Sequence, residues 1–524
     1  MLANLRKAVV NPPVSFGLLL FFVSLLVCGQ ADHSFYLLAA QLIFVPALLQ
    51  LVVELRRLEK MILAAGMAAA AFISFGLPYP AALVCALVYL IVTFWIAWKG
   101  AERFLKRGFS NTAELMIDLG LVYIAVGGLW FFAFVGEFDT GFSAMTMWLT
   151  AIHFHYSAFM LCVSVGLLGR IRATNLYKLC ALFIATGPMT VALGIIFSHT
   201  LELTSVSLYV LAIYALTFYT FRLRFPFIQA LMIRIPFVTL CLTILWSFLY
   251  AYGNFSGTAT VTIPTMLAVH GLLNCLLFGS FTVIGWALHV PITTQEPFHF
   301  PVSKIRGKLN APGTPHRGLV DRMEDYVDNR ELPASIIDFY EHTERFQLFA
   351  SVQWAAWFKP FAFFYQFISR RVGQLNLPFS ADRIEMTGEI LLVDEEADGR
   401  ARPRVWKRTI RGKPVFTAIY SQHEAGGETF MNIALPLPFS SMHGILQLSV
   451  EHGQLRLTSK GGGDAGTYLA LGGYVFKLPL HESFIMKGSL GNLLAVHDMT
   501  LFGLHFLHID YVIKEKTNGN QPQR

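Results

Sequence analysis

Residues 79–107 read YPAALVCALVYLIVTFWIAWKGAERFLKR, an uncharged apolar run up to Trp98 that ends in Lys99, Arg103, Lys106 and Arg107. An apolar run of about 20 residues spans the hydrocarbon layer of a bilayer as a helix. Basic residues at the end of such a run mark the side that faces the cytoplasm. The same unit recurs along the first 290 residues, with runs starting near residues 14, 35, 61, 80, 115, 146, 178, 203, 234 and 263. Every Lys and Arg between the runs falls in alternate connections. One set holds Arg6 and Lys7, then Arg56, Arg57 and Lys60, then the cluster at 99–107, then Arg170, Arg172 and Lys178, then Arg222, Arg224 and Arg234. The connections around His33, Pro78, Asp139, Glu202 and Asn254 have none. The pattern predicts a multi-pass membrane protein, with about ten transmembrane helices in an all-α bundle and both termini cytoplasmic.

Charge agrees with that division. Residues 1–290 hold 15 Lys and Arg against 9 Asp and Glu, and the remainder 25 against 24, giving the net +7. The basic balance therefore lies in the membrane loops, and no nucleic-acid partner is implied. All six cysteines sit in the apolar runs, none in CxxC spacing, and the polar tail has none, as a reducing compartment favours. Arg6 and Lys7 before the first run resemble a signal peptide, but no small-residue cleavage site follows, so the run reads as an uncleaved helix.

Three domains are expected. Residues 1–290 form the helical membrane domain, 291–332 a linker rich in Pro, and 333–524 a cytoplasmic α+β domain dominated by a curved antiparallel sheet. The tail opens with a helix near Ser335–Thr343. An aromatic stretch follows, in which Trp357, Phe361, Phe364 and Ile368 keep helical spacing. This aromatic helix reads as the plug of the sheet's concave face. The alternative lays it in the lipid headgroup layer, aided by Lys359, Arg370 and Arg371. Alternation then predicts strands at 389–394, 405–410, 416–421, 445–450, 454–458, 468–478, 501–506 and 509–513.

Ionisable groups in hydrocarbon are costly and mark function. His153-Phe154-His155 lies roughly 10–14 Å inside the outer boundary at 1.5 Å per residue. On a regular helix the two imidazoles point to opposite faces, so one metal cannot take both unless the helix bulges. His153 shares a stripe with Thr146, Thr150 and Ser157. His270 and Asn274 sit four apart on the last run at matching depth. These residues suggest a polar pocket in the outer half of the bilayer. His153, His270 and Asn274 would bind a small or lipid-like ligand there, with His155 and Thr150 in support. Haem or metal oxidoreduction, transport and scaffolding are the rival readings, and no metal site or catalytic motif is assigned. Gly461-Gly462-Gly463 lies between strands and reads as a hairpin loop, not a phosphate cradle. His505 and His508, three apart on a strand, are expected on opposite sheet faces.

Several motifs together resemble the YndJ-like membrane proteins of bacteria: TAIHFHY at 150–156, Asp118-Leu-Gly with Gly127-Gly-Leu-Trp130, and His270-Gly-Leu-Leu-Asn274 with Gly285-Trp286. Phe339–Thr343 and Gly373–Pro378 carry the same likeness. Val405-Trp-Lys-Arg408, Phe416 and Gly453–Leu457 are similar to a domain of unknown function found behind saccharopine-dehydrogenase-like proteins. These resemblances imply architecture and carry over no chemistry.

Overall fold

A computed structural model describes residues 12–28, 33–258, 261–293, 295, 298–307, 313–379, 381–489 and 491–516. Packing divides the chain into two units, one of residues up to 295 apart from 105–110, the other of 105–110 with 296 onward.

In the first unit all ten expected runs are helical: α1 Pro12–Cys28, α2 Phe35–Val52, α3 Arg57–Ser74, α4 Tyr79–Leu105, α5 Thr112–Val135, α6 Ala144–Ile171, α7 Asn175–Phe197, α8 His199–Arg222, α9 Phe227–Ser256 and α10 Ile263–Leu288. Among the described residues eight are long and apolar enough to cross a membrane. The exceptions are α1, with 17 residues, and α3, which opens with Arg57, Glu59 and Lys60. Side-chain caps set where helices begin. Asn111 accepts from Ala113 N and Glu114 N before α5, and Ser143 from Thr146 N before α6. Buried shares of 78% for α2 and 83% for α6 make these two the centre of the unit. Three helices widen into π-helical turns: α2 at Ala40–Phe44, α6 at Phe154–Met160, and α10 at Leu267–Gly271 and Asn274–Ser280. The bulge that an HxH pair would need is therefore present, starting between the two histidines.

The second unit is a β-barrel. Its strands are β1 Phe346–Trp354, β2 Ile384–Leu392, β3 Ala401–Ile410, β4 Lys413–Ala425, β5 Glu428–Leu437, β6 Ser440–Glu451, β7 Gln454–Thr458, β8 Gly466–Leu471, β9 Tyr474–Lys477, β10 Leu480–Ser489, β11 Asn492–Leu501 and β12 Leu504–Glu515. Neighbours run β5-β4-β3-β2-β1-β12-β11-β10-β7-β6, all antiparallel, and β6 pairs back onto β5. Ten strands thus close on themselves, which removes their open edges, while β8 and β9 extend from the flank of β6. The stretch 468–478, expected as one strand, is two, because Gly472 and Gly473 take φ of +55° and +89° in a turn between them.

Three expectations about this unit change. The plug is not the aromatic helix but α11, Ala334–Glu341, whose Ile336, Phe339 and Tyr340 are buried in the barrel core. The aromatic helix α12, Lys359–Val372, buries only Ala362 and Ser369. Phe361, Phe363, Phe364, Phe367 and Ile368 are 51–70% exposed. Periodicity marked an apolar face, and that face points away from the barrel. Second, part of the Pro-rich stretch expected as linker is structural. Asn432 Nδ2 donates to Pro301 O at 2.8 Å, and Phe300 packs on Phe430, Ile445 and Tyr468. Third, His505 and His508 share one face. The register slips between Met499 and Thr500, so Phe506 is an extra residue in β12 and strict alternation fails there.

Candidate ligand sites in the two units

The helical polar stripes resolve into two arrangements. His155 is fully buried, with Nδ1 2.7 Å from Ala151 O and Nε2 2.7 Å from Tyr89 Oη. A carbonyl only accepts, so Nδ1 carries the proton and Nε2 accepts from the tyrosine. Both ring nitrogens are used, and the residue ties α4 to α6. Gly127 makes room for it, since a Cβ there would lie 2.8 Å from Nδ1.

His153 faces outward and is exposed, with Nδ1 2.7 Å from Leu149 O. His270 sets Nδ1 2.9 Å from Thr243 O, and Asn274 Oδ1 accepts from Thr243 Oγ1 at 2.9 Å. The same logic makes Nδ1 the donor on both histidines and leaves each Nε2 as an acceptor. Thr150 bonds back to Thr146 O at 2.8 Å, within its own helix. Thr243 thus joins His270 and Asn274, while His153 is exposed on α6 and His155 is buried between α4 and α6. Thr243 of α9, which holds both α10 residues, was not singled out. Its signal is Thr239 and Thr243, four apart and buried.

A second polar cluster is ionic. Arg103 Nε lies 2.7 Å from Asp118 Oδ1 and its Nη2 2.8 Å from Glu114 Oε2, while Arg170 Nε reaches Glu114 Oε1 at 2.6 Å. Arg170 Nη2 donates to Glu114 Oε2 at 3.0 Å, while Arg103 Nη1 meets Val52 O and Arg170 Nη1 meets Pro291 O. Two cations and two buried carboxylates join α2, α4, α5 and α6. Both Glu114 oxygens and Asp118 Oδ1 are directed at a guanidinium, and this arrangement reads as structural.

In the barrel, the inward residues enclose a cavity of about 130 Å³. Its wall is mostly apolar, including Met386, Trp406, Met431, Leu446 and Ile509, and α11 closes part of it with Phe339 and Tyr340. Leu375 and Leu377, just after α12, form another part. The polar groups in the wall are few: Arg408, Tyr420, Tyr511, Thr467, Glu482 and His497. Glu482 and His497 are paired, with Oε2 and Nε2 3.3 Å apart. Arg408 lies between the rings of Trp406 and Phe416, at 4.4 and 4.2 Å from their centroids. Tyr511 stands in the same wall. Among the described residues the guanidinium has no ion-pair partner, and its Nε makes no hydrogen bond. Burial pushes the Tyr420 hydroxyl up to about 12 and raises that of Tyr511, so both stay protonated donors. An apolar cavity with a few converging polar groups is the usual form of a small-molecule site.

A family model described as "YndJ-like protein" matches residues 36–278. The "Uncharacterized membrane protein YndJ" of Bacillus subtilis (strain 168) is 36% identical over 467 residues, covering 83% of this chain and 84% of that protein. That share exceeds what the helical unit alone could supply, so the similarity continues into the barrel. No solved structure matches. A multi-pass helical membrane part, a C-terminal β-barrel and this degree of identity place the chain in the YndJ-like family of membrane proteins.

Proposed function

We propose that this protein binds and handles a small or lipid-like ligand, an apolar molecule with an anionic head, in the barrel cavity. The observation that carries the reading is Arg408. Its charge is buried among aromatic and aliphatic side chains without a carboxylate partner, an arrangement that is costly unless an anion completes it. Orientation by the basic connections puts the barrel on the cytoplasmic side. The likeness of its sequence to domains behind saccharopine-dehydrogenase-like proteins carries no activity with it.

A second reading keeps the ligand in the outer half of the bilayer, at His153, His270 and Asn274. It rests on the two Nε2 atoms, each left by a locked Nδ1 as an acceptor without a partner among the described residues, which would take hydroxyl or ammonium donors.

One experiment separates the two. The full chain in lipid nanodiscs is photolabelled with a diazirine-bearing decanoic acid. Saturable labelling of barrel-wall peptides is expected, weakened about tenfold or more in Arg408→Met, as loss of a charge-assisted hydrogen bond implies. The matching decanol should label both proteins alike. Labelling of α6 and α10 that is lost in His153→Ala/His270→Ala would move the site to the membrane. Labelling that never saturates would sink both readings.

Membrane lipid is the partner we assign to the outer face of α12. Lys359, Arg370 and Arg371 are exposed beside its aromatic side chains, and residues 355–376 contain no Asp or Glu. Apolar side chains with flanking cations suit an anionic headgroup layer. A spin label carried on an unnatural amino acid at position 364 should be accessible to oxygen and shielded from a water-soluble nickel chelate in anionic nanodiscs. Water-like accessibility, equal to that of a label at His452, would remove the assignment.

A further inference from the structure

The bulge in β12 has a chemical consequence on the outer surface of the barrel. Phe506 and Leu507 are both buried, and the residues on either side of them, His505 and His508, turn outward together. Opposite them on β11 stands Asp498. His505 Nε2 is 3.0 Å and His508 Nδ1 2.7 Å from the same Asp498 Oδ1, and these three atoms lie within 4.8 Å of one another. We propose that Asp498, His505 and His508 form a binding site for a divalent first-row transition ion of the zinc class.

The donor set suits such an ion. Imidazole nitrogen and carboxylate oxygen bind Zn²⁺ at about 2.0–2.2 Å, which separates neighbouring donors in a tetrahedron by about 3.3 Å. The contacts at 2.7 and 3.0 Å are a few tenths shorter. A small outward movement of each ring opens the space, with the ion replacing the two N–H protons now shared with Oδ1. Each liganding nitrogen must present its lone pair, so its proton moves to the other ring nitrogen or to solvent. His508 is prepared for this. Its Nε2 lies 3.3 Å from Asp510 Oδ2, which can hold the relocated proton and fix the ring, as carboxylates behind metal-bound histidines do. Gln353 Nε2 bonds that same Asp510 oxygen at 3.4 Å, and Trp357 Nε1 donates to His505 O at 2.9 Å. The supporting groups are therefore anchored as well as the ligands. Three protein ligands leave a position for water.

A purely structural account, in which Asp498 simply pairs two imidazoles, explains the short contacts. It holds His508 above its ordinary range through the same hydrogen bond. In that account Asp510 takes the second N–H of a protonated ring, so a divalent ion must displace the proton from Nδ1 while Asp510 keeps the one on Nε2. The location also matters for the cavity. Met499, Leu507 and Ile509, on the inward side of this hairpin, line the cavity, so an ion outside would clamp two strands of its wall.

The test uses the full chain in detergent, free of any polyhistidine tag, titrated with zinc chloride against a competing chromophoric chelator. One zinc per chain is expected, with thermal unfolding moved upward by zinc. Asp498→Asn, His505→Gln and His508→Gln should each weaken binding by about tenfold or more and abolish the thermal shift. Asp510→Asn should weaken it by about 10–100-fold, as loss of a supporting carboxylate does. His452→Asn, an exposed imidazole in a turn, should bind as the parent. Unfolding curves in chelator show that each variant is folded. Zinc bound equally by the parent and the three ligand variants, or not retained by the parent at large excess, would overturn the proposal.

Discussion

Replacing Glu114 by alanine is expected to destabilise the helical unit by about 3–5 kcal/mol, the usual cost of removing one partner from a buried ion pair. Glu114 is 1% exposed, and both of its oxygens are engaged, with Arg170 across α6 and Arg103 across α4. After the substitution Arg103 keeps Asp118, but Arg170, whose side chain is 8% exposed, keeps only Pro291 O among the described residues. A buried guanidinium then faces the space where its carboxylate stood. Glu114→Gln preserves shape and loses charge, so it should fall between the parent and alanine. Removing the stranded charge as well, in Glu114→Ala/Arg170→Met, should recover part of the loss, because the pair is non-additive. The unit carries its own reporters. Cys162, Cys180 and Cys275 are buried, so a thiol-reactive dye follows its unfolding without a label. A fall in midpoint on the order of 10 °C is expected for Glu114→Ala. A shift no greater than that of an exposed substitution such as Phe227→Ala would show that the network carries little energy.

How far the chain is legible depends on what covers each face. The ten helical runs could be read because a bilayer requires every backbone group of a span to be satisfied internally, and only a long uninterrupted apolar helix does that. The barrel was harder. Its inward face is apolar, but strips of its outer face are apolar too. Val405, Ile419 and Ala434 lie under Ile305, so β3, β4 and β5 lack clean alternation. β1 was absorbed into the aromatic stretch that follows it, and β5 carries Pro436. The amphipathic spacing of α12 was correctly seen. What it faces depends on tertiary structure, and the shorter α11 took the interior. The matching depths of His153 and His270 are legible from helical rise alone, whereas the Arg103–Glu114–Arg170 cluster is not. Its members lie 11 and 56 residues apart, and only packing joins them. His505 and His508 failed for a local reason. Period-two reasoning presumes an unbroken ladder, and the bulge between them breaks it.

The barrel's own buried charge leads to the second large effect, which should appear as acid sensitivity. Asp398 and Arg400 are fully buried, joined at 2.6 and 3.2 Å, and Arg400 Nη1 continues to Asn432 Oδ1 at 3.0 Å. His443 completes the chain. Its Nδ1 is 3.2 Å from Asn432 Oδ1, which only accepts, so Nδ1 donates and Nε2 accepts from Ser441 Oγ at 2.9 Å. The neutral imidazole is therefore satisfied. Burial, with Arg400 and Arg306 nearby, depresses its pKa to about 3. An unfolded chain protonates this histidine near pH 6.5, so below that value the unfolded state binds the extra proton. Stability is thus fully present above about pH 6.5 and is lost as pH falls towards 3, at about 1.4 kcal/mol per unit, or about 2 kcal/mol by pH 5. His443→Gln should lower stability at neutral pH and flatten this slope, measured by hydrogen exchange of β5 and β6. Asp398→Asn acts differently. It leaves Arg400 without its counter-charge at every pH, so about 3–5 kcal/mol should be lost with the slope of His443 retained. The cost has a further route, because Ser303 Oγ donates to Asp398 Oδ1 at 2.6 Å. Losing the carboxylate should therefore loosen the segment around Phe300 first and expose the flank of β5 and β6 before the barrel opens. Equal slopes in the parent and His443→Gln would assign the acid sensitivity to another group and leave the Asp398 effect standing by itself.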